Sequence, residues 1–281
     1  MSESELIPFA TPDGLSLAGE IRGPADGALV ALLHGGGQTR HAWTGVATQL
    51  ATAGFRAMTY DARGHGDSAW SDQGDYELTT HARDLQAVLR TFGKPVAVVG
   101  ASMGGVSGLL TAAEAPELLS ALVLVDIVPR FSPQGVERIR TFMQSHPQGF
   151  ATLDEVAAAV SAYNPGRTRP ADPAGLMKNL RSGDDGRLRW HWDPAIMNAA
   201  PTHAVGDALT DALSRLPASL PTLLVRGAES DVVDADGLEE FRRHAPHAEV
   251  ASIARAGHMV AGDRNDAFSG AVLPYLRRVL S

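Results

Sequence analysis

The sequence contains no cysteine, and this absence excludes disulfides and thiolate metal sites. It also contains no run of about 18 consecutive apolar residues, the length that a membrane-spanning helix needs. Its first residues, 1–5, are acidic and polar, whereas a secretory signal begins with basic residues followed by an apolar stretch. We therefore predict a soluble, cytoplasmic protein with no membrane partner.

Clusters of basic residues are also missing. The chain has 24 Lys and Arg against 32 Asp and Glu, a net charge of -8, and its arginines are scattered along the sequence. A nucleic-acid-binding surface needs concentrated positive charge, so we expect no nucleic-acid partner. The 281 residues are 44% hydrophobic and 20% charged, which is enough apolar material for one large domain or for a core with an insertion.

Short aliphatic runs alternate with segments of helical periodicity, which predicts an α/β fold with a mostly parallel, doubly wound sheet. Apolar runs without polar alternation are typical of strands that are buried on both faces. The predicted strands lie at 15–21, 28–33, 55–60, 95–99, 122–125, 222–225 and 250–253. The predicted helices lie at 43–53, 78–92, 237–244 and from 267 onward.

This alternation is interrupted in the middle of the chain. Residues 128–215 contain frequent Pro and Gly and two helical segments, at 136–143 and 153–163, without a clear strand pattern. We predict a largely helical cap at 128–215 inserted into a core formed by 1–127 and 216–281. Within this predicted cap, Trp190 and Trp192 are candidate substrate-binding residues.

The predicted strand at 95–99 runs directly into Gly100-Ala101-Ser102-Met103-Gly104, and a helical segment follows. This G-x-S-x-G pattern between a strand and a helix is typical of a nucleophile elbow. A sharp turn of this kind strains the backbone, and neighbours without a Cβ atom relieve its clashes. Ser102 is therefore the candidate nucleophile.

A second glycine-rich segment, His34-Gly35-Gly36-Gly37, ends the predicted strand at 28–33. Acyl transfer creates an oxyanion that preformed backbone N–H groups stabilise. We assign the N–H groups of Gly36 and Met103 as these donors and expect Gly35 to line the substrate site. The alternative, a phosphate-binding loop, would end in Lys followed by Ser or Thr, which is absent here. His34 is expected to serve as a structural hydrogen-bonding residue.

Serine needs a histidine to take its proton and a carboxylate to orient that histidine. His258 follows Gly257 in a loop after the predicted strand at 250–253 and is the candidate base. Asp231 follows the strand at 222–225 and is the preferred acid, and with it the triad has the expected chain order Ser, Asp, His. Asp126, at the end of the strand at 122–125, is the main alternative.

Taken together, these motifs resemble the α/β-hydrolase superfamily over nearly the whole chain, and in particular its capped, carboxylesterase-like serine esterases. The resemblance rests on His34-Gly35-Gly36, residues 61–68, residues 100–105, Gly227 with Asp231, and Gly257-His258. Residues 63–68 recur in capped members as a tight loop, and we interpret this loop as structural.

Differences between this chain and individual subfamilies narrow the range of reactions that we expect it to catalyse. Haloalkane dehalogenases and epoxide hydrolases carry aspartate at the elbow, so Ser102 argues against both. Carbon–carbon bond hydrolases usually place tryptophan after the catalytic histidine, where this chain has Met259. Cofactor-free dioxygenases and hydroxynitrile lyases share the fold and can keep the serine, so they stay open.

The resemblance implies hydrolysis of a small to medium, partly apolar carboxylic ester through an acyl-enzyme, without a metal or an organic cofactor. The alternatives are a lactonase, an amidase or a carbon–carbon bond hydrolase with the same triad. The non-enzyme alternative is a ligand-binding module that has kept the fold and lost catalytic turnover. The expected partner is the small-molecule ester, and the sequence leaves open whether the protein forms a homodimer.

Overall fold

The computed structural model describes residues 4–164, 173–198, 202–263 and 265–281. Its strands are β1 (Glu5–Ala10), β2 (Ser16–Arg22), β3 (Leu29–Leu33), β4 (Arg56–Tyr60), β5 (Val96–Ala101), β6 (Leu119–Val125), β7 (Leu180–Ser182), β8 (Leu188–Trp190), β9 (Thr222–Gly227) and β10 (Glu249–Ile253). Its α-helices are α1 (Thr44–Thr52), α2 (Leu78–Arg90), α3 (Met103–Glu114), α4 (Pro133–Gln144), α5 (Leu153–Tyr163), α6 (Thr202–Ser214), α7 (Ala235–His244), α8 (Val260–Asp263) and α9 (Asn265–Val279). Short 3-10 helices span Arg40–Trp43, Pro116–Leu118, Pro173–Asn179 and Pro194–Asn198.

Eight strands form one sheet in the order β1-β2-β4-β3-β5-β6-β9-β10. The β1–β2 and β2–β4 pairs are antiparallel, and all the other neighbours run parallel. The prediction of a mostly parallel α/β sheet is confirmed. One strand of this sheet, β1, was not predicted. It contains Pro8, which cannot donate a hydrogen bond to a neighbouring strand and is tolerated here because β1 lies at the edge of the sheet.

Both faces of the sheet are covered by helices, which explains why the central strands are apolar throughout. Every residue of β3 is buried, as the continuous run Leu-Val-Ala-Leu-Leu predicts. One face packs against α2, α3, α6 and α7, and the other packs against α1 and α9. Helix α2 shows the 3.6-residue period of a half-buried helix, with Leu85, Val88 and Leu89 buried. The carboxyl ends of the parallel strands are thereby held on a rigid base.

Between β6 and β9 the chain leaves the sheet. Its described residues at 128–164 and 173–198, called the insertion below, contain α4, α5 and an antiparallel β7–β8 pair that the sequence did not predict. These two strands have three residues each, too few to show a period.

The predicted end of the cap at residue 215 needs correction, because α6 belongs to the core. Its residues Leu209, Ala212 and Leu213 are buried in the same hydrophobic cluster as α3 and the sheet. Across the residues that the structure describes, none of the helices has the length and apolarity that crossing a lipid bilayer would need.

Candidate active site

Ser102 lies at the sharp turn between β5 and α3, with φ 47° and ψ −115°, a backbone conformation that L-residues rarely adopt. The flanking glycines are required by close packing. A Cβ atom on Gly100 would lie 2.3 Å from the Gly104 carbonyl oxygen, and one on Gly104 would lie 2.6 Å from the Leu33 Cβ. The Ser102 N–H donates to the Val125 carbonyl over 3.1 Å, which ties the turn to β6. The strained backbone thus holds the Ser102 side chain in a partly exposed position.

His258 is paired with a buried carboxylate. Its Nδ1 lies 2.8 Å from Asp126 Oδ2, and the Asp126 side chain has no solvent exposure. Asp126 directly follows β6 and itself has a positive φ of 52°. Because a carboxylate can only accept, Nδ1 is the protonated ring nitrogen, which leaves Nε2 with a free lone pair. His258 can therefore accept a proton at Nε2.

Two further donors hold the Asp126 carboxylate. The Gly227 N–H donates to Oδ1 over 2.9 Å, and the Ser230 hydroxyl donates to Oδ2 over 2.5 Å. The Ser230 oxygen in turn accepts the N–H groups of Val232 and Val233, each at 3.1 Å. Ser230 was missed by the sequence analysis, since a single serine beside a predicted acid carries no distinctive signal.

The prediction that Asp231 orients His258 is wrong for this structure. The Asp231 side chain is 38% exposed and forms an ion pair with Arg138 of α4, with Nη2 and Oδ2 3.0 Å apart. The loop after β9 carries Asp231 outward to the insertion, where a Cβ atom on Gly135 would lie 2.3 Å from the Asp231 carbonyl oxygen. Asp126, the alternative in the sequence analysis, occupies the place beside His258.

The glycine loop at 35–37 lies beside Ser102: a Cβ atom on Gly35 would be 3.4 Å from the Ser102 Cβ. The Gly35 N–H donates to Gln38 Oε1 over 3.0 Å, and the Gly37 N–H donates to His65 Nε2 over 3.2 Å. Among the described residues, the Gly36 N–H has no hydrogen-bond partner. The loop thus offers one unpaired amide.

Met103 begins α3, and the first N–H groups of a helix have no partner within it. The positive end of the helix dipole also lies at this terminus. The Met103 amide therefore presents a second donor, immediately after Ser102.

His34 is a structural residue, as predicted. Its Nδ1 lies 2.8 Å from the Gly35 carbonyl oxygen and is the donor, while its Nε2 accepts the Ala62 N–H over 2.9 Å. Burial lowers the pKa of His34, so the ring stays neutral. With both ring nitrogens occupied, His34 has no free lone pair for a proton from Ser102. His81 of α2 is also buried, and burial lowers its pKa to about 3.

The loop at residues 63–68 is confirmed as structural. The Arg63 guanidinium is buried and forms two hydrogen bonds to the Asp84 carboxylate, of 2.6 and 2.7 Å. The Ser68 hydroxyl donates to the Asp61 carbonyl and accepts the Ala18 N–H. These contacts join the loop to the core.

Trp190 and Trp192 lie in an aromatic stack of the insertion. Their rings are 4.9 Å apart at 11°, and Phe142 approaches them at 5.4 and 6.4 Å. Trp192 is only 4% exposed, so packing accounts for its position without a ligand. Whether either ring touches substrate stays a prediction.

Two further features of the insertion are Met143 and a cavity beside α4. Met143, at the end of α4, packs 3.5 Å from the position that a Cβ on Gly37 would take. A cavity of about 730 Å³ lies between α4 and α5 and is lined by Phe142, Ala159 and Tyr163 among others. The insertion therefore brings Met143 to the glycine loop and forms a cavity between two of its own helices.

Comparisons with known proteins agree with this fold. The family described as alpha/beta hydrolase fold matches residues 28–264. The chain is 35% identical over 246 residues to Esterase Rv0045c of Mycobacterium tuberculosis (strain ATCC 25618 / H37Rv), a match that covers 84% of this chain and 78% of that protein. It is 30% identical over 238 residues to an sn-1-specific diacylglycerol lipase of Mus musculus, covering 79% and 72% of the two chains.

The solved structures show the same fold. The crystal structure of an alpha/beta hydrolase from Novosphingobium aromaticivorans DSM 12444 superposes with a TM-score of 0.81 at 28% identity and covers 99% of both chains. The proteins that resemble this chain are esterases and other hydrolases. The chain is a hydrolase, and it belongs to the α/β-hydrolase family.

Proposed function

We propose that this protein is a serine esterase that cleaves a small to medium, partly apolar carboxylic ester through an acyl-enzyme on Ser102. The observation that carries the proposal is the His258–Asp126 pair, which leaves His258 Nε2 free to accept a proton at the end of the sheet where Ser102 lies. The similarity to an esterase supports the choice of an ester over other acyl compounds.

In the first half-reaction, Ser102 Oγ attacks the ester carbonyl carbon while His258 Nε2 takes the hydroxyl proton. The carbonyl oxygen becomes an oxyanion, which accepts hydrogen bonds from the amides of Gly36 and Met103. The tetrahedral intermediate then breaks its bond to the alcohol oxygen, and His258 returns the proton to that oxygen. An acyl ester on Ser102 and a free alcohol result.

In the second half-reaction, water attacks the acyl carbonyl carbon and gives a proton to His258 Nε2. The intermediate collapses, the bond to Ser102 Oγ breaks, and that oxygen recovers the proton. Asp126 keeps its charge throughout: it accepts the Nδ1–H of His258 and stabilises the imidazolium. Asp126 takes the role that the sequence analysis gave to Asp231.

The insertion is proposed to form the cap that contacts the non-reacting part of the substrate. Met143 brings a thioether side chain to the glycine loop, and thioethers adapt to varied apolar shapes. A cap of this kind also excludes water from the reacting centre.

The test is the Ser102→Ala variant, assayed on short p-nitrophenyl esters and with a fluorophosphonate probe. Loss of the nucleophile should lower kcat by about 10⁶ and abolish labelling, with the fold intact by circular dichroism. Ser107→Ala is the matched control, because it removes a hydroxyl one turn further along α3. Near wild-type turnover in Ser102→Ala would refute the proposed function.

A further inference from the structure

His191, directly after β8, joins the insertion to the glycine loop. The side chain is 1% exposed, and its Nδ1 accepts the Gly66 N–H over 2.7 Å. Its Nε2 lies 3.4 Å from the Gly37 carbonyl oxygen. Since one ring nitrogen accepts and a carbonyl can only accept, Nε2 must carry the proton and donate.

A second buried histidine, His65 of the core, also binds this glycine. His65 Nε2 accepts the Gly37 N–H, and its Nδ1 donates to the Arg63 carbonyl over 3.0 Å. Both backbone groups of Gly37 are therefore bound by histidines, whose rings lie 5.9 Å apart and carry opposite tautomers. The neighbouring Gly35 carbonyl is held by His34 and by the Gln38 N–H.

These contacts determine where the unpaired amide points. The Gly36 N–H belongs to the same peptide plane as the Gly35 carbonyl, which His34 holds from the core. Gly37 has a φ of +70°, and its position depends on contacts from both the core and the insertion. Displacing His191 would release the Gly37 carbonyl and leave one end of the loop without its support.

This arrangement requires neutral rings, and the surroundings keep them neutral. Burial lowers the pKa of His191 to about 4 and that of His65 well below 6.5. The groups that face His191 are His34 and Arg181, which also lower its pKa, and Asp61 and the Gly37 carbonyl, which raise it. A protonated His191 could no longer accept the Gly66 N–H.

We propose that His191 is a positioning residue: it fixes the Gly37 carbonyl from the insertion and so, together with the core contacts of His34 and His65, aligns the Gly36 amide for the oxyanion. The catalytic part of this inference rests on the proposed function. The hydrogen bonds and ring contacts of the His191 side chain within the described part of the chain are with Gly66, Gly37 and neighbouring rings, and none of them is with Ser102.

The test compares His191→Met with His191→Gln. The two side chains have similar length, but only Gln can accept from Gly66 and donate to Gly37. His146→Asn, in an exposed histidine of the insertion, is the control. Each protein is assayed for kcat and KM on p-nitrophenyl butyrate and for hydrogen–deuterium exchange of peptides that cover residues 34–43.

We expect kcat to fall about 10- to 100-fold in His191→Met with KM changed less than threefold, because removal of a whole oxyanion donor costs about 10²–10³. Exchange should rise at 34–43, and His191→Gln should recover most of both losses. Wild-type kcat and exchange in His191→Met would overturn the proposal. So would exchange that rises throughout the insertion in both variants, which indicates a merely structural role.

The failure of the proposed function gives a different result. If the wild type hydrolyses no ester and Ser102 is not labelled, the esterase assignment fails. The contact between His191 and Gly37 can still be tested, by hydrogen–deuterium exchange alone. Unchanged exchange at 34–43 in His191→Met then overturns the positioning role as well.

Discussion

The core and the insertion are stabilised in different ways. In the core, aliphatic side chains on both faces of the sheet are almost fully buried, including Leu32, Val98 and Leu124. The insertion has a small cluster of three buried residues, Phe150, Val156 and Leu180, together with its aromatic stack. Its Arg189–Asp185 ion pair is exposed, and pairs of this kind contribute little stability.

This difference separates the site into two parts. Ser102, Asp126 and His258 follow strands β5, β6 and β10 of the core, whose packing fixes their backbone. The insertion approaches through single side chains, of which Met143 and His191 reach the glycine loop. Catalytic groups need precise placement, which rigid elements provide, whereas a substrate surface can vary.

The strongest test of this division compares Asp→Asn variants of the two candidate acids, Asp126 and Asp231. Asp126→Asn should lower kcat by about 10⁴, because the neutral amide removes the charge that stabilises the His258 imidazolium. Asp231→Asn breaks only an exposed pair with Arg138 and should change kcat less than threefold, since such pairs contribute about 0.2–1 kcal/mol. Steady-state kinetics on one p-nitrophenyl ester decides the matter. If Asp231→Asn were the crippled variant, the acid would lie on the insertion side.

Acid should destabilise the protein both at the boundary between the two parts, through His191, and within the core, through His81 of α2. Folding lowers the pKa of His191 from 6.5 to about 4 and that of His81 to about 3. The unfolded chain therefore binds more protons below pH 6.5, so the stability present above that pH is lost as pH falls toward 4.

We expect Tm to drop by roughly 5–15 °C between pH 7.5 and 5.0. His191→Gln, which removes one of the titrating groups, should show a smaller drop, measured by circular dichroism. An equal drop in both proteins would mean that His191 titrates alike in the folded and unfolded states.

The insertion should influence substrate choice without changing the chemistry. Truncating Trp190 or Trp192 to Ala is expected to shift the kcat/KM ratio between small and bulky esters by about 1–3 kcal/mol, the scale of pocket contacts. Fluorophosphonate labelling of Ser102 should persist in both variants. Loss of labelling in a folded variant would show that the aromatic stack also shapes the catalytic part.

Within the core part, Ser230 should have the smallest effect. Ser230→Ala removes one donor from the Asp126 carboxylate and should lower kcat about tenfold, since hydrogen bonds to charged groups contribute about 1.5–3 kcal/mol. Ser230→Thr keeps the hydroxyl and should recover most of the activity with an unchanged pH profile of kcat. If Ser230→Thr does not recover kcat, the loop after β9 tolerates no extra methyl group. In that case the supporting role of Ser230 is refuted only if Ser230→Gly keeps the wild-type kcat.

Much of the core could be predicted because its signals are local. The apolar runs of β3 and β5 require burial on both faces, and the glycines around Ser102 are required by the turn itself. The insertion gave weaker signals. Its two strands are too short to show a period, and the membership of α6 in the core depends on helix α3, which is distant in the chain.

The choice of acid shows the same limit within the core. Asp126 and Asp231 both follow buried strands, and both give the chain order Ser, Asp, His, so the sequence pattern fits either one. Only the folded backbone separates them: Asp126 turns inward at the very end of β6 toward His258, whereas Asp231 lies four residues beyond β9 on a loop that reaches α4.

The sequence by itself determined the α/β sheet and the elbow at Ser102, and it singled out the loop that carries His258, because strand burial and tight turns depend on neighbouring residues. Tertiary structure decided that Asp126 faces His258 and that Ser230 supports it. It also decided that His65 of the core and His191 of the insertion bind the two backbone groups of Gly37. These contacts join residues up to 154 positions apart, and no local pattern specifies such a distance.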